Sequence, residues 1–211
     1  GVGFDGEPYI ALNPVNPHNI AAAWMSLQLV SGHFVVTIKT RASMDGGNTW
    51  STAVTLPHFG TQFGSADVSM GFDGGGMLYI CYIDYRQLVD SGGVYVARST
   101  DGGLHWDAPS RAFDISDVPS KAALDRPWVA VDKSAPGVLY ITTKPAPWIA
   151  PPNRPYYKVS TDSGHTWTAI ATLDNGNHLT GNLIAAPMAS PEVTAAGKFC
   201  AVYPSYGSSQ N

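Results

Sequence analysis

The stretch Ser43-Met-Asp45-Gly-Gly47-Asn-Thr49-Trp50 decides the fold, because it returns twice more along the chain. The second copy runs from Ser99 to Trp106 and the third from Ser160 to Trp167, a spacing of roughly 60 residues. Four positions are identical in the three copies: Ser43, Asp45, Gly47 and Trp50; Ser99, Asp101, Gly103 and Trp106; Ser160, Asp162, Gly164 and Trp167. A repeat of this length indicates one supersecondary unit that stacks on copies of itself.

The residue types of the octapeptide are those of a tight turn. Ser and Asp side chains bond to nearby backbone N–H groups, and Gly accepts a positive φ without steric cost. The closing Trp is large enough to pack beneath the turn. Since each copy follows an alternating strand (35–41, 94–98 and 156–159), the context is a β-hairpin. We interpret the octapeptides as structural turns; a calcium site there would need more spaced oxygen ligands than they supply.

A second, weaker repeat precedes each octapeptide. Glu7-Pro-Tyr-Ile-Ala-Leu-Asn13 resembles the stretch from Asp125 to Asp132, and the stretch from Asp67 to Asp73 is a looser relative. A short turn and an apolar strand follow each one. The unit is therefore strand A, strand B, strand C, octapeptide turn and strand D, which is the blade of a β-propeller.

The blade reading predicts one all-β domain over 1–211, with blades at about 7–57, 65–108, 125–173 and, in part, 185–211. Closed propellers have about 4 to 8 blades. We therefore expect that the remaining blades come from the rest of a longer chain or from a second chain. Almost no helix is expected. Strands are predicted at 7–13, 19–25, 34–42, 51–56, 66–72, 77–84, 93–99, 126–132, 137–143, 156–161, 167–172 and 198–204.

The composition excludes several functional classes. The net charge is −4 without a block of like charge, so no basic surface for nucleic acid is expected. No apolar run approaches the ~20 residues needed to cross a bilayer. The two cysteines, Cys81 and Cys200, lie in apolar runs and are expected to be buried, free thiols. No Cys or His spacing suits a metal, and no cofactor is predicted.

The octapeptide matches the Asp box, also called the bacterial neuraminidase repeat, and the chain resembles the sialidase-like propeller superfamily from about Glu7 to Tyr206. That resemblance implies a complete propeller of six blades. It also implies a secreted or cell-surface protein of bacterial type that processes glycans, as an exo-acting glycoside hydrolase. Because Asp boxes also occur in propellers that are not sialidases, a non-catalytic propeller that binds glycan or protein is the alternative.

Two features of true sialidases are absent. The resemblance implies an Arg-Ile-Pro motif on the first inner strand, but this chain has Glu7-Pro8-Tyr9 there. It also implies a general-acid Asp in the connection after the first blade. That connection, 57–66, contains His58 but no carboxylate, and the nearest is Asp67. The sequence therefore assigns no catalytic residue.

Topology indicates which loops could meet a ligand. In a four-stranded meander, the B–C loops (25–33, 84–93 and 144–155) and the D-to-A connections (57–66, 107–125 and 174–186) share one face. We call it the loop face, and the octapeptides lie on the other. The loop face carries the candidate substrate-binding residues Asp84, Tyr85, Arg86, Asp125, Arg126, Trp148 and Arg154.

Two of these candidates have alternative roles. Trp148, in a proline-rich loop, either stacks on a sugar or folds back to cover its blade. Arg126 either binds a ligand or forms a salt bridge with Asp125 or a neighbouring blade.

Overall fold

A computed structural model describes residues 3–60, 62, 64–86, 88–118, 121, 123–146, 154–173 and 189–203, and these contain no α-helix. The strands are β1 (Gly3–Leu12), β2 (Ile20–Val30), β3 (His33–Ser43), β4 (Val54–Thr55), β5 (Gly64–Phe72), β6 (Leu78–Tyr85), β7 (Gly92–Ser99), β8 (Ser110–Asp114), β9 (Leu124–Val131), β10 (Leu139–Pro145), β11 (Tyr156–Ser160), β12 (Ala171–Thr172), β13 (Ser190–Val193) and β14 (Phe199–Val202). A single 3₁₀ turn covers Ile115–Asp117.

The strands form antiparallel meanders in chain order. β1 to β4 make the first blade, β5 to β8 the second, β9 to β12 the third, and β13 and β14 the beginning of a fourth. The first two sheets are joined by one parallel pair between β3 and β5, Val36 with Gly64. The prediction of an all-β protein built from about three and a half four-stranded blades is therefore confirmed.

Each octapeptide forms the same hydrogen-bonded turn between the third and fourth strands of its blade. In the third blade the Ser160 hydroxyl donates to Asp162 Oδ1 at 2.8 Å and accepts from Gly164 N at 2.8 Å. Asp162 then accepts from the backbone and hydroxyl of Thr166 at 2.9 and 2.5 Å. Because Gly164 has a φ of +79°, an L side chain there would be strained.

The octapeptide turns also tie each blade to the one before it. Asn19, in the first blade, donates to the carbonyl of Gly102 in the second octapeptide at 3.0 Å. The indole of Trp106 packs against the apolar core between these two blades and donates to Thr40 Oγ1 at 3.0 Å. Ser110, in the second blade, donates to the carbonyl of Gly164 in the third octapeptide at 2.6 Å. Backbone and indole contacts thus fix the stacking of neighbouring blades.

The cores lie between blades. Ala21, Ala23 and Ile38 of the first blade pack against Met70 and Ile80 of the second. Other side chains of the second blade pack against the third in the same manner: Tyr79, Cys81, Val94 and Val96 meet Val129, Val131, Leu139 and Ile141. Phe199, in the beginning of the fourth blade, stacks on Tyr140 of the third with ring centroids 4.5 Å apart.

One face of the first blade is bare. Ile10 and Leu12 are 57% and 63% exposed, whereas the equivalent Met70 and Phe72 of the second blade are 3% and 2% exposed. The preceding blade covers this face in the second and third blades. Of the three octapeptide tryptophans, Trp50 accordingly has the exposed side chain.

The strand predictions are wrong at four places, one of which is β13, a strand missing from the predicted set. The predicted loop over 25–33 is a hairpin, because β2 and β3 pair up to Val30 and His33 and leave a two-residue turn. Ser31 and Gly32 both have a positive φ, as such turns require. β8 was not predicted, since only Ala112 and Phe113 of its five residues are buried. β4 and β12 have two residues each, because most of the predicted fourth strands is irregular backbone.

The cysteines are free, as expected, but only Cys81 is buried. Burial raises the pKa of the Cys81 thiol to about 12. Cys200 is exposed on β14, because the fourth blade contributes just two described strands and nothing among the described residues covers that side chain.

Among the described residues, no helix is long and apolar enough to span a membrane.

The octapeptide geometry makes a stability prediction. Replacing the buried Ser160 by Ala leaves the N–H of Gly164 without its acceptor, so the free energy of unfolding is expected to fall by about 1–3 kcal/mol. Thr161→Ala, at the adjacent exposed position, is the matched control and is expected to change it by less than about 0.5 kcal/mol. Urea unfolding curves measure both, and equal values for the two variants would contradict the role of the serine.

The two thiols should differ in reactivity. Cys200 is expected to react rapidly with Ellman's reagent in the native protein, whereas Cys81 is buried with a raised pKa and should react only on unfolding. After unfolding without reductant, two thiols per chain should have reacted with the reagent. Reaction of neither would mean that the cysteines are bonded to each other.

Candidate active site at the loop-face ends of the inner strands

The inner strand of each of the first three blades contains the same irregularity. In β1, β5 and β9 two residues stand opposite one residue of the neighbouring strand, which defines a β-bulge. The first residue of each bulge is Glu7, Asp67 or Arg126, with φ values of +50°, +53° and +51°. Left-handed backbone at a charged, non-glycine residue costs free energy and concentrates at functional sites.

The three bulge residues contact one another across the blades. Arg126 Nη1 lies 3.0 Å from Glu7 Oε1, so the third blade is bridged to the first. The backbone N–H of Arg126 donates to Asp67 Oδ2 at 3.0 Å. The Arg126 side chain is 43% exposed and the Glu7 side chain 34%, which leaves both accessible to a ligand. These residues, together with Asp125 and Lys144, form what we call the axial cluster.

Asp125 has the most altered acidity in the axial cluster. Burial, a hydrogen bond with the Asp67 carboxyl and the negative charge of Asp67 raise the pKa of Asp125 to about 6. Lys144 opposes this shift, since its ammonium lies 2.5 Å from Asp125 Oδ2. Two carboxyl groups can share a hydrogen bond only when one is protonated. The pair therefore holds a shared proton up to about pH 6, well above the range of an ordinary Asp.

A cavity of about 260 Å³ lies between the inner strands. Its walls come from all four blades: Tyr9–Leu12, Met70–Phe72, Trp128–Val131, Lys133 and Ser190–Glu192. It is lined by the segments that follow the three bulges. A larger cavity of about 490 Å³ lies along β1 and β2, beside Asp5 and Lys39.

A second polar cluster lies beside β5. The carboxylate of Asp84, at the end of β6, accepts from Phe59 N at 2.9 Å and from Ser65 Oγ at 3.0 Å. His58 Nδ1 lies 3.0 Å from the same carboxylate. Ser65 is two residues before Asp67 on β5, and Tyr85, next to Asp84, holds the backbone of Leu124 beside Asp125. The two clusters therefore adjoin.

The structure places the predicted ligand-binding residues in different environments. Asp125 and Arg126 belong to the axial cluster. Asp84 and Tyr85 are buried; the Tyr85 hydroxyl donates to the carbonyl of Leu124 at 3.0 Å and accepts from its N–H at 2.6 Å. Arg86 is half exposed, 3.8 Å from Asp90.

Two predicted residues lie at the 144–155 loop. Arg154 is partly buried just before β11. Trp148 lies outside the described residues, so its two alternatives stay predictions.

Sequence reasoning did not select Glu7, Asp67, His58 or Lys144 as site residues. A signal for the first two was present: aligning the three inner strands puts Glu7, Asp67 and Arg126 in one column, with a charged residue each time. The partner of His58 could not be found in this way, because His58 and Asp84 are 26 residues apart and meet only through the sheet.

Comparisons with known proteins find the fold through structure and not through sequence. No family model matches the sequence, and no curated protein matches it. Among solved structures, the Hadza microbial sialidase Hz136 matches 95% of this chain and 40% of its own, with a TM-score of 0.67 and 15% identity. The NanB sialidase of Streptococcus pneumoniae matches 99% of this chain and 45% of its own, with a TM-score of 0.60 and 13% identity.

The third comparison is with another glycosidase. The GH93 α-L-arabinofuranosidase of Fusarium graminearum, in complex with arabinobiose, matches 97% of this chain and 57% of its own, with a TM-score of 0.61 and 13% identity. This chain thus spans 40% to 57% of these three proteins. It has the fold of the sialidase-like β-propellers.

No group of three or more metal-ligating side chains occurs in the described part of the chain.

The acidity of Asp125 can be tested by NMR titration of its side-chain carboxyl carbon. The midpoint is expected near pH 6 and should fall in Asp67→Asn, which removes the neighbouring negative charge. Lys144→Met should raise it, because the ammonium favours the ionised carboxylate. Asp90→Asn, on an exposed loop, is the control and should leave the midpoint unchanged. An unshifted midpoint in Asp67→Asn would show that the two carboxyls are not coupled.

Proposed function

We propose that this protein is a glycan-processing propeller of the exo-glycosidase type, with its chemistry at the axial cluster. The observation that carries the proposal is Asp125, a carboxyl whose pKa of about 6 is set by burial and by Asp67. A glycosidase needs a carboxylic acid that remains protonated near neutral pH, so that it can protonate the leaving oxygen. The fold shared with three glycosidases supports the same assignment.

Asp125 and Asp67 act as one acid in this proposal. In glycosidases the two catalytic carboxyls flank the scissile bond, about 5–5.5 Å apart in retaining and about 6.5–9.5 Å apart in inverting enzymes. A pair joined by a hydrogen bond is too close for that arrangement. Asp125 donates the proton to the leaving oxygen, and Asp67 stabilises the protonated form beforehand. A separate group then serves the nucleophilic or basic side.

The charges of the axial cluster favour a neutral sugar. Glu7, Asp67 and Asp125 supply three carboxyl groups against two cations, Arg126 and Lys144. The Glu7 carboxylate neutralises part of the positive charge of the Arg126 guanidinium, and it would repel a substrate carboxylate. The exposed donors of Arg126 then bind sugar hydroxyls. Arg86, Trp148 and Arg154 contribute loop-face contacts, while the buried Asp84 and Tyr85 position the surrounding backbone.

Two further features belong to the same proposal. Further blades, from a longer chain or a second one, cover the bare face with Ile10 and Leu12. The protein acts on extracellular glycans, secreted or at a cell surface.

A set of 4-methylumbelliferyl glycosides tests the reaction. The wild-type protein is expected to hydrolyse a neutral glycoside, such as the α-L-arabinofuranoside, faster than the sialoside. Asp125→Asn removes the acid, so kcat should fall by about 10²–10⁴-fold, the usual contribution of general acid catalysis. The control is Asp107→Asn, an exposed carboxylate that follows the octapeptide of the second blade, and it should keep the wild-type rate.

Two results would contradict the proposal. Asp125→Asn with the wild-type kcat would remove Asp125 from the reaction. A wild-type protein that binds glycans on an array and hydrolyses none would favour the alternative, a non-catalytic binding propeller. In that case Arg126→Ala should abolish array binding with little change in melting temperature, because its guanidinium is partly exposed.

A further inference from the structure

His58 lies in the connection between β4 and β5, on the loop face. One of its ring nitrogens, Nδ1, is held by two oxygens: Asp84 Oδ1 at 3.0 Å and Ser65 Oγ at 2.9 Å. The Asp84 side chain is completely buried, whereas that of His58 is 25% exposed. A buried carboxylate thus contacts one nitrogen of an imidazole ring that is itself partly exposed.

The hydrogen bonds determine which nitrogen carries the proton. An ionised carboxylate only accepts, and the Ser65 hydroxyl donates to Asp84 Oδ1 at 3.0 Å. With the serine proton committed to Asp84, its lone pairs accept from His58. Nδ1 must therefore be the protonated nitrogen and donate to both oxygens. In the neutral ring this leaves a lone pair on Nε2.

Nε2 has no hydrogen-bond partner among the described residues, so its lone pair is available to a ligand. The arrangement differs from a nucleophilic Ser-His-Asp triad, in which Ser and Asp bind opposite ring nitrogens. Here Ser65 and Asp84 share Nδ1, and Ser65 is itself buried. His58 cannot activate Ser65; what it can do is accept a proton from a group that approaches Nε2.

The site adjoins the axial cluster. Ser65 precedes Asp67 by two residues on β5, which corresponds to about 7 Å along a strand. Asp84 is followed by Tyr85, whose hydroxyl bonds to Leu124 immediately before Asp125. A sugar bound at the axial cluster would therefore reach the neighbourhood of His58.

We propose that His58 is a proton acceptor for a ligand hydroxyl or water on the loop face, with Asp84 as its positioning residue. In the reaction the O–H bond breaks, the bonding pair stays on oxygen, and the proton forms an N–H bond at Nε2. The imidazolium charge then faces the Asp84 carboxylate. His58 thus supplies the base that the Asp125–Asp67 pair cannot. This last role rests on the proposed hydrolytic function, whereas the orientation of the ring does not.

The orientation is tested by the ¹⁵N shifts of the His58 ring at a pH where it is neutral. The wild-type protein is expected to show the Nδ1–H tautomer. Asp84→Asn should invert it: Phe59 N–H keeps an oxygen as its acceptor, so the Asn amide turns its NH₂ toward Nδ1. Ser65→Ala, which leaves the carboxylate, should retain the wild-type tautomer. An Nε2–H wild-type ring, or no change in Asp84→Asn, would overturn the proposal.

The availability of the Nε2 lone pair is tested with diethyl pyrocarbonate and peptide mass analysis. His58 should be acylated about tenfold faster in the wild-type protein than in Asp84→Asn, the shift that one hydrogen bond can impose on a tautomer equilibrium. The exposed His165 is the internal control and should react alike in all variants. A His58 that does not react in the folded wild-type protein would contradict an open acceptor.

The kinetic role is tested with the glycoside that the wild-type protein hydrolyses best. His58→Gln should lower kcat by about 10²–10⁴-fold with little change in KM, because the base acts in the chemical step. Asp84→Asn should lower kcat through the inverted tautomer. A wild-type kcat in His58→Gln, with Asp125→Asn inactive, would reject the base while the proposed function stands. No hydrolysis by the wild-type protein would reject that function, and the tautomer and acylation results would then decide whether His58 is an open acceptor.

Discussion

The buried serine hydroxyl of the octapeptide turn is the interaction on which the rest of the structure depends. In each copy the serine hydroxyl donates to the aspartate two residues later and accepts from the N–H of the glycine four residues later. One small group therefore fixes both sides of the turn. The turn sets the path of the third and fourth strands. It also brings the closing Trp and the neighbouring carbonyls onto the preceding blade, as Trp106 on Thr40 shows. Strand pairing within a blade and packing between blades are therefore fixed at one place.

The bulges of the inner strands, unlike the octapeptide turns, are costly to the fold. They interrupt the ladder, hold charged residues in left-handed backbone, and bring like charges together. Such an arrangement persists only where the surrounding sheets determine it. The regular face with its repeated turns supplies that support, and the loop face carries the strained and charged residues. The regular turns and the strained, charged residues are thus separated along the strand direction within each blade.

The sequence predicts the regular part of each blade well and the strained, charged part poorly. The octapeptides and inner strands repeat because the scaffold requires them, so the blades within this chain and most of their strands could be predicted. β8 could not, because two buried residues make too weak a pattern. The site residues do not repeat in type. Asp125 and Arg126 were selected from their chemistry, but the Asp67 carboxyl and the His58–Asp84 contact depend on which strands adjoin, and this emerges only in three dimensions.

The bulge position also bears on how such a protein can evolve. Its occupants here are Glu, Asp and Arg, three side chains that differ in charge and length, on backbone that is nearly the same each time. The ladder does not depend on their identity, since the bulge is already out of register, and no core packing rests on them. Mutations at these positions can therefore change the charge presented on the loop face without a matching cost to folding. A duplicated blade brings with it one more such adaptable position, and a diversity of specificities can arise on a scaffold that hardly changes.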